Sequence, residues 1–260
     1  MTEAKVALIT GSSRGIGKQI ARTLAHAGYA LALNYHNNRE EALDLAQELS
    51  TVTHANIQLY QGDVSVETDV NTMITKIQND FGHLDILIAN AGPFIHENIK
   101  LKDYSTAQWH EMIATNLDSF FYLIKATLPA MEQQKWGRII ALGYDQIERL
   151  SGWSMRGAYA AAKTGVATAI RTLATEESNT NITANMVCPG DIKALAKEAT
   201  IDSARQQLTT FAINDKRKAT GEDVARVIAF LCADDSDYLT GNIINLSGGE
   251  NIIARKHDGI

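Results

Sequence analysis

The chain has only two cysteines and three prolines. Cys188 and Cys232 lack metal-type spacing and sit in apolar stretches, so both are expected as small buried hydrophobes. No apolar run reaches the ~18 residues of a membrane span. The N-terminal apolar stretch is too short for a signal sequence and follows an acid, which points to a cytoplasmic protein. Positive charge is also in deficit: 24 Lys and Arg against 30 Asp and Glu leave a formal charge of −6. That balance argues against non-specific nucleic-acid or anionic-membrane partners. Low-complexity linkers, short repeats and a Pro/Gly/Ser-rich boundary are missing, so 1–260 is read as one domain. A chain of this size buries enough of its surface to need neither a disulfide nor a metal.

What the sequence does have is alternation. Short apolar runs at 5–10, 29–35, 56–60, 84–89, 138–142, 182–188 and 242–246 read as strands. Helical periodicity lies between them. Ile16, Ile20 and Leu24 recur every fourth residue until Gly28 stops the helix, and further helices are expected at 39–49, 67–81, 105–132, 158–177 and 222–233. Strands without polar alternation, separated by helices, imply an α/β protein. Its seven-stranded parallel sheet is doubly wound, with helices on both faces. Two connections, 143–157 and 191–219, fit neither pattern. Both begin at carboxyl ends of strands, where such sheets bind ligands, so they are the expected substrate walls, with 191–219 as the lid.

The first strand runs into Gly11-Ser12-Ser13-Arg14-Gly15-Ile16-Gly17 and then a helix. Glycines let the backbone turn tightly and approach a phosphate, and the helix N-terminus offers free N–H groups to a pyrophosphate. Ser12 and Ser13 add hydroxyl donors. This spacing, with Gly62-Asp63-Val64, Asn90-Ala91-Gly92, Asn116, Tyr159-Ala-Ala-Ala-Lys163, Pro189-Gly190 and the Leu239-Thr-Gly241 and Gly248-Gly249 pairings, resembles the short-chain dehydrogenase/reductase family from about residue 4 to 250. Within it, the chain most resembles the 3-oxoacyl-carrier-protein reductase branch. The resemblance implies a single-domain Rossmann fold. It also implies a nicotinamide cofactor held by the glycine turn, by Asp63 and Val64, by Asn90, Ala91 and Gly92, by Tyr159 and Lys163, and by Pro189, Gly190 and Ile192.

NAD-specific sites place an acid at the end of the second strand. Here that strand ends at Asn34 and Tyr35, and no acid appears before Glu40. Arg14 in the turn and Arg39 at the next helix supply the forked donors that suit a 2′-phosphate, with Asn34 as a further donor, so NADP(H) is favoured over NAD(H).

Tyr159 and Lys163 share one helical face. The resemblance makes Tyr159 the acid/base and Lys163 the group that tunes it and binds the nicotinamide ribose. Asn116 then holds a water that relays protons. One departure stands out. The family's serine after the fifth strand, which donates to the substrate oxygen, is absent. Counting forward from the strand puts Tyr144 in its place; counting back from Tyr159 puts Gln146 there. Ala194 and Ser247 also replace a usual threonine and aspartate.

The expected reaction is NADPH-dependent reduction of a ketone or 3-oxoacyl thioester to the alcohol, with Tyr144, Trp153 and Met155 lining an apolar pocket and no metal. An acyl carrier protein would need a basic face, for which Lys193, Lys197, Arg205, Lys216, Arg217 and Lys218 are candidates. The missing serine motivates a second reading, a cofactor-binding redox sensor or regulatory protein with weak or no turnover. The resemblance further implies a homotetramer, with a dimer as the smaller option.

Overall fold

Seven strands lie side by side in the order β3-β2-β1-β4-β5-β6-β7, every neighbouring pair parallel. The computed structural model describes residues 4–95, 97–150, 152–206, 217–250 and 253. In chain order the elements are β1 (Val6–Ile9), α1 (Gly15–His26), β2 (Ala30–Tyr35), α2 (Arg39–Val52), β3 (Ile57–Gln61), α3 (Glu67–Phe81) and β4 (Ile86–Ala89). There follow α4 (Thr106–Ile113), α5 (Ser119–Gln134), β5 (Gly137–Leu142), α6 (Gly157–Glu176), β6 (Ile182–Pro189), α7 (Ile201–Gln206), α8 (Gly221–Cys232) and β7 (Ile243–Leu246). The doubly wound α/β sandwich expected from the sequence is the fold.

The strands are apolar on both faces because each face has its own core. Successive side chains of a strand point to opposite sides. Val6 and Leu8 accordingly join Leu87, Ile139 and Met186 in a core covered by α3, α5 and α6. Ala7 and Ile9 join Ile88, Ile140 and Val187 in a second core under α1, α2 and α8. The Ile20 and Leu24 stripe of α1 is buried in the second core.

The helix expected at 105–132 contains an interruption. Ser105 caps α4 with a reciprocal capping box to Gln108, and the chain then makes one π-helical stretch at Ala114–Asp118 before α5 continues. Of the expected lid, residues 194–198 form a short 3-10 turn and α7 follows; 207–216 lie outside the described residues, as does Lys216.

At the opposite end from the site, Arg138 fixes the edge of the β5 strand. Its side chain is fully buried beneath the Trp136 ring, 4.3 Å from the ring centroid. The guanidinium donates to the carbonyls of Gly137 (2.9 Å), Asn181 (3.0 Å), Asp234 (3.3 Å) and Ala233 (3.4 Å), which ties β5 to the end of α8. A buried charge is tolerable only with partners of this kind. Arg138→Ala is expected to lower the unfolding free energy in urea by about 3 kcal/mol or more, since it removes charge-assisted bonds and strands buried carbonyls. A loss under about 1 kcal/mol would mean that water satisfies those carbonyls instead.

Candidate active site

The winding of the sheet reverses between β1 and β4, and the crevice opens at their carboxyl ends. The turn after β1 is held there from both sides. Asn34 on β2 accepts from the Gly11 N–H (3.1 Å) and donates to the Gly62 carbonyl (3.1 Å). Asn90 after β4 donates to the carbonyls of Thr10 (2.9 Å) and Gly11 (3.1 Å). Gly17 can only be glycine: a Cβ would stand 2.4 Å from the Gly11 carbonyl and 2.6 Å from the Asn90 amide. Ser12 and Ser13 are buried, with the Ser12 hydroxyl on the Asn34 carbonyl at 3.0 Å. Arg14 and Arg39 are exposed at the rim.

The structure gives Asn34 a different employment from the one its position in the sequence suggests. Its side chain is buried, both ends of the amide are engaged by the protein, and it acts as a strut between the turns after β1 and β3. Asp63 is partly desolvated, yet Ser65, donating from its N–H (2.9 Å) and hydroxyl (2.7 Å), helps hold the carboxyl below its ordinary range. Val64 is buried beside it. Pro189 closes β6, and the backbone of Gly190 and Ile192 follows, with Ile192 buried.

Tyr159 and Lys163 occupy adjacent turns of one face of α6, with the Lys163 Nζ 5.9 Å from the Tyr159 ring centroid. Asn116 approaches from the π-helical stretch. Its amide donates to the Pro93 carbonyl at 3.2 Å, while its Oδ1 is buried without a hydrogen-bond partner among the described residues. The point where a Cβ of Gly92 would stand is 2.4 Å from Asn116 Oδ1 and 3.5 Å from Lys163 Nζ, so glycine there lets the two side chains converge. A cavity of about 10 Å³ lies between Asn116, Ser119 and Lys163. That is close to the space one water needs.

Burial governs the titration of this pair. Desolvation lowers the Lys163 ammonium to about 8. Desolvation also raises the Tyr159 phenol above its ordinary value. Tyr159 is half-buried as a whole, and the aromatic rings packed around it account for the desolvation of its phenol. The phenol is therefore protonated at neutral pH, the state a proton donor requires.

Four aromatic rings gather over this face. Trp153 lies 5.1 Å from Tyr144 and 6.2 Å from Tyr159 between centroids, and Phe94 meets Tyr159 edge-on at 5.1 Å. Tyr144 is buried with its ring 6.1 Å from that of Tyr159, and its hydroxyl meets Thr164 Oγ1 at 3.5 Å. Burial raises its phenol pKa as well. Gln146 is held by β7 and by its neighbour: its backbone N–H donates to Asn245 Oδ1 on β7 (2.8 Å) and its side-chain amide to Asp145 (3.2 Å). Of the two residues that counting put in the serine's place, the structure sets Tyr144 beside Tyr159. An apolar cleft of about 580 Å³ adjoins the rings, lined by Leu101, Tyr144, Leu150, Trp153, Met155 and Ala160 among others.

Phe94 and Glu198 are the site residues that the sequence left unmarked. Phe94 has no motif around it, and only the turn of chain after Asn90-Ala91-Gly92 carries it to Tyr159. Glu198 sits in a polar segment with weak periodicity, yet its carboxylate accepts from the Gly15 N–H at 2.8 Å. An oxygen anion is thus accommodated at the N-terminus of α1, which fits the pyrophosphate of a dinucleotide.

A family model described as enoyl-(acyl carrier protein) reductase matches residues 11–251. The chain belongs to the short-chain dehydrogenase/reductase family and is an oxidoreductase of that type. It is 42% identical over 247 residues to YtkK of Bacillus subtilis, described as an oxidoreductase, covering 95% of this chain and 96% of that one. It is 34% identical to the 3-oxoacyl-[acyl-carrier-protein] reductase FabG of Staphylococcus aureus, covering 96% and 99% of the two chains. A solved chain from Bacillus thuringiensis, described as a 3-oxoacyl-reductase, superposes with a TM-score of 0.90 at 41% identity, covering 96% of this chain and 99% of that chain. No helix among the described residues is long and apolar enough to cross a membrane.

The buried lysine has a stability consequence with a definite sign. Its folded-state pKa lies below the unfolded one, so the burial penalty is complete below about pH 8 and disappears as pH rises toward about 10.4. Lys163→Met is expected to stabilise the cofactor-free protein by on the order of 3 kcal/mol at about pH 7, with the advantage falling by about 2 kcal/mol at about pH 9.5. Urea unfolding of both proteins at the two pH values checks this. A pH-independent difference would mean that Lys163 does not titrate in that range.

Proposed function

We propose that this protein reduces a ketone or 3-oxoacyl thioester with NADPH, Tyr159 giving the proton. The observation that carries the reading is the convergence of Tyr159, Lys163 and Asn116 at the carboxyl end of the sheet, beside an apolar cleft and next to a turn that accepts an anion. The cofactor, when bound, supplies a hydride to the carbonyl carbon. The remaining chemistry falls to the protein.

In this reading the substrate carbonyl rests against the Tyr159 hydroxyl. That phenol donates its proton to the oxygen as negative charge builds there, a contribution typically of 10²–10⁴-fold. Lys163 stabilises the resulting phenolate by its ammonium and bonds the nicotinamide ribose. Asn116 orients a water in the small cavity beside Lys163, through which the proton is restored. Tyr144 takes the serine's place as the second donor to the substrate oxygen, its weak 3.5 Å contact with Thr164 being easily exchanged for a stronger one. The pyrophosphate lies on the turn 11–17, and Asp63, Val64, Asn90, Ala91, Gly92, Pro189, Gly190 and Ile192 frame the rest. Arg14 and Arg39 meet the 2′-phosphate.

The basic residues offered for a carrier protein give little support to that substrate. Lys193 pairs with Asp191 at 2.7 Å, Arg205 with Asp202 at 3.2 Å and Arg217 with Asp223 at 2.5 Å, so much of the patch is neutralised locally. A ketone or thioester free of an acidic carrier suits this surface better. Relatives described as oxidoreductases also support turnover over the sensor reading. A cytoplasmic homotetramer belongs to the same proposal.

The test is NADPH oxidation against a panel of ketones and 3-oxoacyl thioesters. Tyr159→Phe is expected to lose at least about 100-fold in kcat. Tyr144→Phe should lose about 10²–10³-fold if its phenol is the second donor, and a full rate would remove it from that role. Arg14→Ala should weaken NADPH binding and leave NADH binding nearly unchanged. Tight NADPH binding without turnover of any substrate would turn the assignment to the sensor.

A further inference from the structure

We infer that Glu198 is a built-in competitor of the cofactor's pyrophosphate, so that dinucleotide binding is an exchange of one anion for another. The inference rests on the proposed dinucleotide site. The 3-10 turn Ala194–Glu198 leaves β6 by way of residues 190–193 and folds back over the first turn of α1. There Glu198 Oε1 accepts from the Gly15 N–H at 2.8 Å, and Oε2 stands 3.4 Å from Lys18 Nζ one turn further along the helix. These are the charge and donors that a helix N-terminus offers to any oxygen anion.

The contact is more than a passing surface pair. The Lys197 carbonyl packs so closely on Gly221 of α8 that a Cβ there would fall on top of it, which fixes the backbone next to Glu198. The Glu198 side chain is 38% exposed and the Lys18 side chain 21%, so the pair is only partly screened. The same α1 turn is the one the pyrophosphate needs. A carboxylate and a phosphate cannot share one N–H, and side by side they repel. Binding must therefore move the Glu198 carboxylate off Gly15, which removes one of the ties between the 194–198 turn and α1. Dissociation lets the carboxylate return, which opposes rebinding. Glu198 thus links the cofactor seat to the connection that follows β6.

Glu198→Gln removes the charge and keeps the shape. Titration of NADPH by calorimetry is expected to show about tenfold tighter binding to Glu198→Gln than to the native protein at low salt, on the scale of helix-terminus charge effects. The ratio should shrink as salt is added. Glu48→Gln, which removes the partner of Arg22 further along α1, serves as the control and should leave the Kd unchanged. Amide exchange of residues 194–199 should rise on NADPH addition in the native protein and already be raised in Glu198→Gln without it. Equal or weaker NADPH binding by Glu198→Gln, or the same gain in Glu48→Gln, would overturn the inference. If NADPH binds neither protein, the cofactor reading falls. Inorganic pyrophosphate then still probes the seat: greater thermal protection of Glu198→Gln upholds the competition, and equal protection or none overturns it.

Discussion

At the point where β1 and β4 run together, the Thr10 hydroxyl accepts the N–H groups of Asn90 (3.0 Å) and Ala91 (2.9 Å) and donates to the Ile88 carbonyl (3.3 Å). Thr10 is fully buried, so these bonds have no competition from water. Each is worth about 0.5–1.5 kcal/mol on average, and much more would be lost by leaving the groups unpaired. Their effect is positional. They clamp two strand ends whose following helices depart to opposite faces, and the crevice between those helices is the candidate site. Asn34 does the same on the other side of the turn. The glycine turn is thus a supported platform, with the shape of its donors set before any ligand arrives.

The proposed chemistry beyond the platform depends on exclusion of water. Phe94, Tyr144 and Trp153 pack about Tyr159, and the same dense surroundings that hold its phenol protonated strip the Lys163 ammonium of solvent. Cys188, beneath them, is pushed up to about 12 by burial and is inert as a thiolate source. A surface Tyr and Lys at the same spacing would titrate near their ordinary values and orient nothing.

The sheet was legible in the sequence because its strands are buried on both faces. Apolar runs as short and continuous as 5–10 and 182–188, with helical stretches between them, suit strands at the centre of a covered sheet. Tyr159, Lys163 and the turn 11–17 stood out as candidates because the proposed chemistry depends on local spacing, which a helix or a tight turn preserves. Asn34 shows the limit of position alone. Its place at the end of β2 suggested a ligand contact, whereas its hydrogen bonds, all to distant segments or backbone, make it structural. Phe94 and Glu198 were silent for the same reason: what each does is decided by a partner far away in the chain. Tyr144 stood out as a departure, and what the fold adds is its ring beside that of Tyr159 and hydrogen bonds that engage Gln146.

The π-helical stretch at 114–118 amounts to one surplus residue inserted into an otherwise regular helix. Excising a residue would restore ordinary i to i−4 bonding and make a straighter rod, but it would also turn everything upstream by about 100° against everything downstream. The α5 residues Phe120, Leu123 and Ile124 could keep their seats in the core only if α4 swung its apolar side away. The irregularity is therefore a phase adjuster. It lets one long rod satisfy two differently oriented surfaces, and the Asn116 amide is presented at the seam where the two phases meet.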